Sequence, residues 1–292
     1  MSAATKGPVY DLRDKVVLIT GGTGGIGSAT ARELLRRGAK VAIADLNPAT
    51  PQIATEMSRT SALGVVADVR VRETLDRAVD AVVERFGHLD VAIANAGVLS
   101  PTATLRRTPA ASIEALLAVN VGGVVNTVQA AMGQVIERRG QLVLISSVFA
   151  FLNPTGTIPY GMSKAAVEQL GRGLRVELAQ HGVSTTVAYF SLIETDMIRN
   201  GVDTDPVAHE LLAAMPKSLL VRLPAEAAAT ALADGLARRA PRVMEPARWK
   251  PLSALRGLLA PALDPQMARN RRARAALQAL DARTTSAPKG TE

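Results

Sequence analysis

The stretch KVVLITGGTGGIG, residues 15–27, decides the fold of this chain. Its first half, residues 15–20, is a continuous apolar run that is typical of a buried strand, and a glycine-rich turn follows it. Residues 26–37 then have the pattern of a helix, which Gly38 closes. Glycines allow tight turning and close approach to the backbone, so a phosphate group can rest against the N-terminus of the following helix. The stretch therefore predicts a strand, a phosphate-binding turn and a helix.

Outward from this unit, strand-like and helix-like segments alternate. We predict further strands at residues 40–44, 63–67, 89–94, 141–145, 184–189 and 241–246. We predict helices at residues 71–86, 109–139, 160–180 and 224–239, and a helical flap without a strand pattern at 195–223. Apolar strands separated by helices indicate an α/β protein with a doubly wound parallel sheet. Ligands of such sheets bind at the carboxyl ends of the strands.

Composition excludes several other classes of protein. The chain has 292 residues, of which 48% are hydrophobic, so it can bury a large core and is not disordered. The absence of cysteine excludes a thiol nucleophile, a disulfide scaffold and a cysteine-ligated metal. The three histidines are scattered, so we predict no metal site. The sequence has neither a signal-peptide pattern nor a membrane-spanning pattern, and we expect a soluble cytoplasmic protein.

The net charge of +8 lies entirely at the C-terminal end. Residues 238–292 carry 12 basic and 4 acidic side chains, whereas residues 1–237 carry 22 of each. We therefore predict a single domain, residues 12–248, preceded by an N-terminal arm, residues 1–11. A basic C-terminal extension, residues 249–292, follows the domain, and its last residues are expected to be disordered.

This extension allows several interpretations. As a helix docked on the domain, it would keep a solvated basic face, because arginine stems commonly cover apolar helix surface. Residues 249–263 could instead lie on an anionic membrane surface, or fold over a substrate pocket or a partner subunit. Nucleic-acid binding through the arginines of residues 271–274 is the least favoured interpretation, because the domain has no basic groove.

Asp45 follows the second predicted strand, 18 residues after Gly27. A carboxylate at this place can accept hydrogen bonds from the hydroxyl groups of an adenosine ribose, and it repels a 2′-phosphate. Leu46 follows it, and residues 20–27 contain no lysine or arginine, so NAD is favoured over NADP. In the alternative interpretation, Asp45 only caps the next segment.

Tyr160 and Lys164 are four residues apart at the start of a predicted helix, which places them on one face. A tyrosine with a pKa of ~10 is a poor base at neutral pH, and a nearby ammonium group favours its phenolate. Alone, such a pair is more often an ordinary pair of surface neighbours.

Together, these features resemble the short-chain dehydrogenase/reductase family over residues 12–200. The glycine-rich turn resembles the family's cofactor motif, Asp68-Val69 its adenine-contacting pair, and Asn95-Ala96-Gly97 the motif after its fourth strand. The resemblance assigns cofactor binding to Gly21, Thr23, Gly24, Gly25, Ile26, Gly27, Asp45, Leu46, Asp68, Val69, Asn95, Ala96, Gly97, Tyr160, Lys164, Ile193 and Thr195. It assigns catalysis to Asn120, Ser147, Tyr160 and Lys164.

The resemblance also implies a Rossmann fold and a mechanism. Hydride would pass between the carbinol carbon of the substrate and C4 of the nicotinamide of NAD, with Tyr160 as general acid and base. Lys164 would lower the pKa of Tyr160 and bind the nicotinamide ribose, and Ser147 would hold the substrate oxygen. Asn120 would support a water-linked proton relay from Lys164, and Thr195 would contact the nicotinamide carboxamide. Activity is then expected to rise with pH.

The chain departs from the family pattern in two places. Phe190-Ser191 stands where the family has Pro-Gly, in a loop that faces the nicotinamide. The basic extension replaces the family's usual C-terminal ending, which often helps to build a tetramer. A homodimer through the helices at 109–139 and 160–180 is therefore expected instead.

Apolar residues favour a small lipophilic alcohol or ketone as the substrate. We predict a pocket formed by Leu99, Phe149, Tyr189, Ser191 and Met197. An NAD-dependent alcohol dehydrogenase or carbonyl reductase is the leading hypothesis, and an NADP-dependent carbonyl reductase is an alternative. A non-catalytic dinucleotide sensor or a membrane-peripheral scaffold on the same fold is the alternative from another class. The intact catalytic set disfavours the sensor.

Overall fold

The computed structural model describes residues 9–215 and 220–283, and it contains the predicted doubly wound sheet. The strands are β1 (Val16–Thr20), β2 (Lys40–Asp45), β3 (Ala62–Val66), β4 (Val91–Ala94), β5 (Gln141–Ser147), β6 (Ser184–Phe190), β7 (Ile193–Glu194), β8 (Leu223–Pro224) and β9 (Arg242–Glu245). The helices are α1 (Gly25–Arg36), α2 (Thr50–Met57), α3 (Arg72–Phe86), α4 (Ala110–Leu117), α5 (Gly123–Glu137), α6 (Ile158–Glu177), α7 (Asp196–Gly201), α8 (Pro206–Ala213), α9 (Ala225–Ala237), α10 (Lys250–Arg269) and α11 (Arg271–Ala282).

Seven strands form one parallel sheet in the order β3-β2-β1-β4-β5-β6-β9. From β1, the strands β2 and β3 are added on one side of the sheet, whereas β4 and the later strands are added on the other side, so the order reverses between β1 and β4. At such a point the connections leave the sheet on opposite faces, and a crevice opens at the carboxyl ends of the strands. The expected ligand site therefore lies beside the ends of β1 and β4.

Two apolar layers hold the sheet between helices. Successive side chains of a strand point to opposite faces, and β1 shows this directly. Val16 and Leu18 belong to the core layer shared with α3, α5 and α6, whereas Val17 and Ile19 belong to the layer shared with α1 and α9. Because the strands are buried on both faces, they are continuous apolar runs in the sequence.

The helix predicted at 109–139 is not continuous. A π-helical turn, Ala118–Gly122, joins α4 to α5 and contains Asn120. Such turns hold one extra residue within a helix and occur mostly at functional sites. The apolar pattern of the sequence continues through the turn, which is why the pattern predicted one uninterrupted helix.

Within the described residues, one helical run, Ala110–Glu137, is long and apolar enough to cross a membrane by length and composition. Its α5 part packs Val124, Val128 and Ala131 into the core layer under the sheet. The run is therefore a core helix of the domain.

The segment predicted as a helical flap, residues 195–223, contains α7 and α8 in its described part. The short strands β7 and β8 pair with each other at the two ends of this segment. Strands of two residues carry no periodic signal, so the sequence pattern did not show them. The extension continues from β9 into α10 and α11, and its predicted disordered end, 284–292, lies outside the described residues.

Candidate active site

The glycine-rich turn joins β1 to α1 at one end of a large cavity. Gly21 has a φ of +65°, a left-handed conformation that favours glycine. A Cβ on Gly27 would overlap the carbonyl oxygen of Gly21, so the close contact between turn and helix also needs glycine. Gly24 precedes the first turn of α1, and no side chain of the described residues caps the N-terminus of this helix. The first backbone N–H groups of α1 are therefore left for a ligand, and the helix dipole favours an anionic one.

A cavity of about 670 Å³ runs from this turn along the carboxyl ends of the strands. Every residue that the sequence predicted to bind the cofactor lines it. Asn95 ties the end of β4 to the turn, since its Nδ2 donates to the carbonyl oxygens of Thr20 and Gly21, both at 3.0 Å. Thr195 approaches the turn from the other side, where a Cβ on Gly25 would overlap its methyl group. The fold thus brings the separate predicted segments to one place.

Asp45 stands at the end of β2 and faces the glycine-rich turn. Its carboxylate accepts hydrogen bonds from the backbone N–H of Thr23 at 3.0 Å and of Asn47 at 3.2 Å. Asp45 therefore orders the turn as well as lining the cavity. The hydrogen bond to Asn47 agrees with the interpretation as a cap, and the contact with an adenosine ribose stays a prediction.

Arg70 is a cavity-lining residue that the sequence analysis missed. Its Nε and Nη2 donate to one carboxylate oxygen of Asp68 at 3.0 and 2.6 Å. These hydrogen bonds lower the pKa of Asp68, so its carboxyl group stays ionised. The position of Arg70, directly after the Asp68-Val69 pair, was the signal that could have found it.

Ser147, Tyr160 and Lys164 meet at the wall of the same cavity. Ser147 ends β5, and the other two lie in the first turns of α6. The side chains of Ser147 and Tyr160 share a hydrogen bond. Lys164 Nζ lies 5.5 Å from the centroid of the Tyr160 ring and donates to the carbonyl oxygen of Ile145 at 3.1 Å. A hydroxyl, a phenol and an amine therefore converge at the end of the cavity away from Asp45.

Burial sets the protonation of this group. It raises the pKa of Tyr160 to about 12, although the hydrogen bond with Ser147 lowers it, and it lowers the pKa of Lys164 to about 8. Lys164 is not a cause of the shift of Tyr160, and its predicted lowering of the pKa of Tyr160 stays a prediction. The amine lies over the ring and donates to the backbone, while loss of water disfavours the charged form of both groups. Tyr160 is consequently a neutral phenol at neutral pH.

Asn120 is fully buried and does not itself line the cavity. Its Nδ2 donates to the carbonyl oxygen of Val98 at 3.0 Å and to Oγ of Ser163 at 3.1 Å. Its Oδ1 accepts from the backbone N–H of Val98 at 2.8 Å. A Cβ on Gly97 would lie 3.3 Å from this Oδ1 and 3.5 Å from Nζ of Lys164. Asn120 therefore holds the segment after β4 in place beside Lys164.

The structure brings most of the predicted substrate pocket to the cavity, and contact of its residues with a substrate stays a prediction. Four of its residues line the cavity: Leu99, Phe149, Ser191 and Met197. The prediction for Tyr189 is wrong, because its ring is buried outside the cavity in a cluster with Met244 and Trp249. Side chains alternate along β6, so Ala188 and Phe190 point to one face of the sheet and Tyr189 to the other. Phe190, one residue further along, lines the cavity instead.

The flap and the extension supply cavity residues that sequence reasoning missed. Ala208 and Leu212 of α8, and Met215 after it, line the cavity together with Trp249 at the start of the extension. These side chains are apolar and add to the lipophilic wall formed by Leu99. They belong to no motif, so no sequence signal was available to find them.

α11 connects the flap to the rest of the domain. Arg283 donates to both carboxylate oxygens of Asp205, at 2.8 and 2.5 Å, and Asp205 in turn caps the N-terminus of α8. Asp281 accepts a hydrogen bond of 2.5 Å from the hydroxyl of Thr104, in the loop before α4. α11 therefore bridges two segments that border the substrate end of the cavity. Of the interpretations of the extension, a helix docked on the domain describes α11.

This arrangement can hold a dinucleotide and move a proton. The free backbone N–H groups of α1 suit a pyrophosphate, and Asp45 suits the hydroxyl groups of a ribose. The cavity continues from there to Ser147 and Tyr160. A phenol with a hydroxyl partner can pass a proton to or from a substrate oxygen placed between them.

Comparisons with known proteins agree with this chemistry. The sequence profile of the short chain dehydrogenases matches residues 15–205, which leaves α8, β8, α9, β9 and the extension outside the match. Acetoacetyl-CoA reductase of Synechocystis sp. is 35% identical over 187 residues, 64% of this chain and 75% of that protein. Xanthoxin dehydrogenase of Arabidopsis thaliana is 36% identical over 183 residues, 60% of this chain and 64% of that protein. The crystal structure of a short-chain type dehydrogenase/reductase from Mycobacterium marinum is 27% identical with a TM-score of 0.71, covering 81% of this chain and 95% of that chain.

The match contains both parts of the site. The glycine-rich turn, Ser147, Tyr160 and Lys164 all lie within residues 15–205, and all line one cavity. The chain belongs to the short-chain dehydrogenase/reductase family and is an oxidoreductase that acts on alcohols or ketones.

Proposed function

We propose that this oxidoreductase uses NAD and interconverts a lipophilic secondary alcohol and the corresponding ketone, with Tyr160 as the group that exchanges the proton. The observation that carries the proposal is the shared cavity, which Ser147, Tyr160 and Lys164 line together with the glycine-rich turn. A protein that only senses a dinucleotide has no need of such a proton-exchanging group.

The cavity suits a cofactor that supplies hydride chemistry when bound, and this chain's residues bind and orient it. The uncapped start of α1 receives the pyrophosphate. Asp45 accepts hydrogen bonds from the adenosine ribose and repels a 2′-phosphate, which supports NAD over NADP. Lys164 and Thr195 hold the nicotinamide half at the end that contains Tyr160.

Tyr160 acts first as an acid in the direction of ketone reduction. Its raised pKa of about 12 keeps the proton on the phenol at neutral pH, so the proton is available for the substrate oxygen. Ser147 donates a hydrogen bond to the same oxygen and stabilises the negative charge that develops there. Asn120 acts indirectly, because it holds the backbone segment beside Lys164.

The lining of the substrate end supports a lipophilic substrate. Leu99, Phe149 and Met197 face residues of the flap that are also apolar, chiefly Leu212 and Met215. Burial of apolar substrate surface against these side chains contributes about 25 cal/mol per Å². A substrate with a large polar or charged body would lose that contribution.

The variant Tyr160→Phe tests the proposal. It keeps the ring but removes the proton-transfer group, so we expect turnover to fall about 10²- to 10⁴-fold while NADH affinity is unchanged. Turnover is followed by the absorbance of NADH with a panel of lipophilic secondary alcohols and ketones, and affinity by fluorescence titration. Tyr189→Phe is the matched control and should keep full turnover, because this second buried tyrosine lies outside the cavity. Full turnover in the Tyr160→Phe variant would refute the assigned role.

A further inference from the structure

α10 presents an apolar side that no part of the described chain covers. Of its 20 residues, only Ser253 is buried. Leu258 is 77% exposed and Leu255 49% exposed. At 100° per residue, seven exposed apolar residues of α10 fall within an arc of about 120°, which together form an exposed apolar patch. These residues, called here the α10 face, are Pro251, Ala254, Leu255, Leu258, Pro261, Ala262 and Pro265.

Two charged side chains in the middle of α10, Arg256 and Asp264, contact the domain. Arg256 donates to both carboxylate oxygens of Glu168, a buried residue of α6, at 2.8 and 2.6 Å. Asp264 accepts a hydrogen bond of 3.3 Å from Nδ2 of Asn153, in the loop between β5 and α6. These contacts fix the rotation of the helix about its axis. The α10 face therefore lies on the side of the helix away from these contacts, and Arg269 is the charged residue that shares its arc, in the last turn.

The extension is rich in cations. Within residues 249–283, four of them have no carboxylate of the described chain at ion-pair distance: Lys250, Arg269, Arg271 and Arg274. By contrast, Arg272 and Arg283 are paired with acidic residues of the flap. The whole net charge of the chain, +8, is carried by residues 238–292. Lys250 and Arg269 stand at the two ends of α10, so the α10 face lies between cations.

An anionic lipid bilayer has the chemistry that matches both features. We propose that α10 docks on such a bilayer, with the α10 face between the head groups and the flanking cations against anionic lipid. Stable attachment of this kind needs an apolar contact and an electrostatic attraction together. A second copy of the chain is a poorer occupant, because contact through this face would bring two segments of +8 together. A nucleic acid would use the cations and leave the apolar residues in water.

The position of α10 relates this surface to the cavity. Trp249, which directly precedes α10, lines the cavity, as do Leu152 and Thr155 on either side of Asn153. Docking would therefore place the substrate end of the site close to the lipid. Direct access of a substrate from the lipid to the cavity rests on the proposed function, because it needs a lipophilic substrate. Docking of α10 on the bilayer does not depend on the substrate.

The test measures binding of the full chain to vesicles of phosphatidylcholine, with and without phosphatidylglycerol. We expect binding to the vesicles that contain phosphatidylglycerol, weakened by added salt. The double variant Leu255→Ser, Leu258→Ser should bind them at least about tenfold more weakly, because two leucines leave the lipid. The control is Val66→Ser, Val71→Ser, which removes two exposed valines at the β3 edge of the sheet, opposite to β9, and should bind as the wild type does.

Several outcomes would overturn this proposal. These are no binding to anionic vesicles, binding that the leucine substitutions leave unchanged, and a dimer that these substitutions convert to a monomer without any vesicle binding. Thermal melting and NADH affinity are measured for each variant, so that a folding defect is recognised. The test measures vesicle binding and not turnover. Absence of vesicle binding therefore does not argue against the proposed reaction, and loss of turnover does not argue against the docking surface.

Discussion

Asp45 combines two tasks in one carboxylate. One oxygen accepts the backbone N–H of Thr23 and so orders the glycine-rich turn. The same group places a negative charge in the wall of the cavity where an adenosine ribose is expected. Its position between turn and cavity explains why its replacement should change cofactor preference more than overall fold.

We expect Asp45→Ala to reduce NADH affinity about tenfold, since hydrogen bonds to the ribose are lost, and to leave NADPH affinity unchanged or higher. Parallel fluorescence titrations with NADH and NADPH measure the ratio. Asp76→Ala is a suitable control, because Asp76 is an acidic residue of α3 paired with Arg72 at the surface. An unaltered ratio would remove Asp45 from the cofactor site.

The protonation of Tyr160 predicts that ketone reduction and alcohol oxidation depend differently on pH. With a pKa of about 12, the phenol is protonated at neutral pH and supplies the proton for reduction, so reduction should be flat around pH 7. Oxidation needs the phenolate, whose fraction grows as pH rises towards the pKa, so kcat/KM for alcohol oxidation should increase steadily from pH 7 to about pH 10. Initial rates in both directions over this range check the prediction. A plateau of the oxidation rate at neutral pH would mean that Tyr160 ionises far more readily in the working enzyme.

At the scale of elements, the π-helical turn and α11 each hold a neighbouring segment of the site in position. The π-helical turn presents Asn120 to the backbone of Val98 and so shapes the segment beside Lys164. α11 reaches across the substrate end and holds α8 through the pair Arg283–Asp205. Neither element contributes a reacting group, but each holds in place a neighbouring segment that lines the cavity.

Removal of the Arg283 side chain should loosen α8 without disturbing the cofactor end. Asp205 keeps its own hydrogen bonds to the start of α8, so the helix itself remains capped. We expect Arg283→Ala to raise the substrate KM about two- to fivefold, with NADH affinity unchanged, because a partly exposed ion pair contributes little more than about 1 kcal/mol. Steady-state kinetics at saturating NADH separates KM from kcat.

The matched control for this variant is Arg72→Ala, which breaks an ion pair on α3 away from the flap. An equal change of KM in both variants, or a loss of NADH affinity in Arg283→Ala alone, would contradict the role given to α11.

At the scale of the whole molecule, α6 carries large apolar side chains outside the core. Met162 is 51% exposed and Val176 78% exposed. We expect these residues, with the neighbouring α5, to form the contact of a homodimer, since isolated apolar side chains gain from burial against a second copy.

Light scattering of the purified chain should then give twice the 30.6 kDa of one chain. Val176→Glu should give the monomer mass, because an unpaired carboxylate would be buried in the contact. A dimer that persists in this variant would place the contact elsewhere.

Much of the fold could be predicted because its signals are local. The strands of a sheet buried on both faces are continuous apolar runs. The turn between β1 and α1 needs glycine, because its backbone lies too close to neighbouring atoms for a Cβ. The residues that the resemblance assigned to the cofactor all line the one cavity, including segments as far apart as Asp45 and Thr195. The two-residue strands β7 and β8 and the π-helical turn were missed, since neither changes the periodicity of the sequence.

By itself, the sequence determined the order of most strands and helices and the glycine-rich turn, because each depends on residues that are adjacent or regularly spaced. The reacting side chains were assigned only through the resemblance to the family, because the spacing of Tyr160 and Lys164 alone does not distinguish them from surface neighbours. Only the tertiary structure decided that Tyr189 points away from the cavity and that burial raises the pKa of Tyr160. It also decided that Arg283 meets Asp205, 78 residues earlier in the chain. These properties arise from solvent exclusion and from contacts between distant segments, which exist only once the chain is folded.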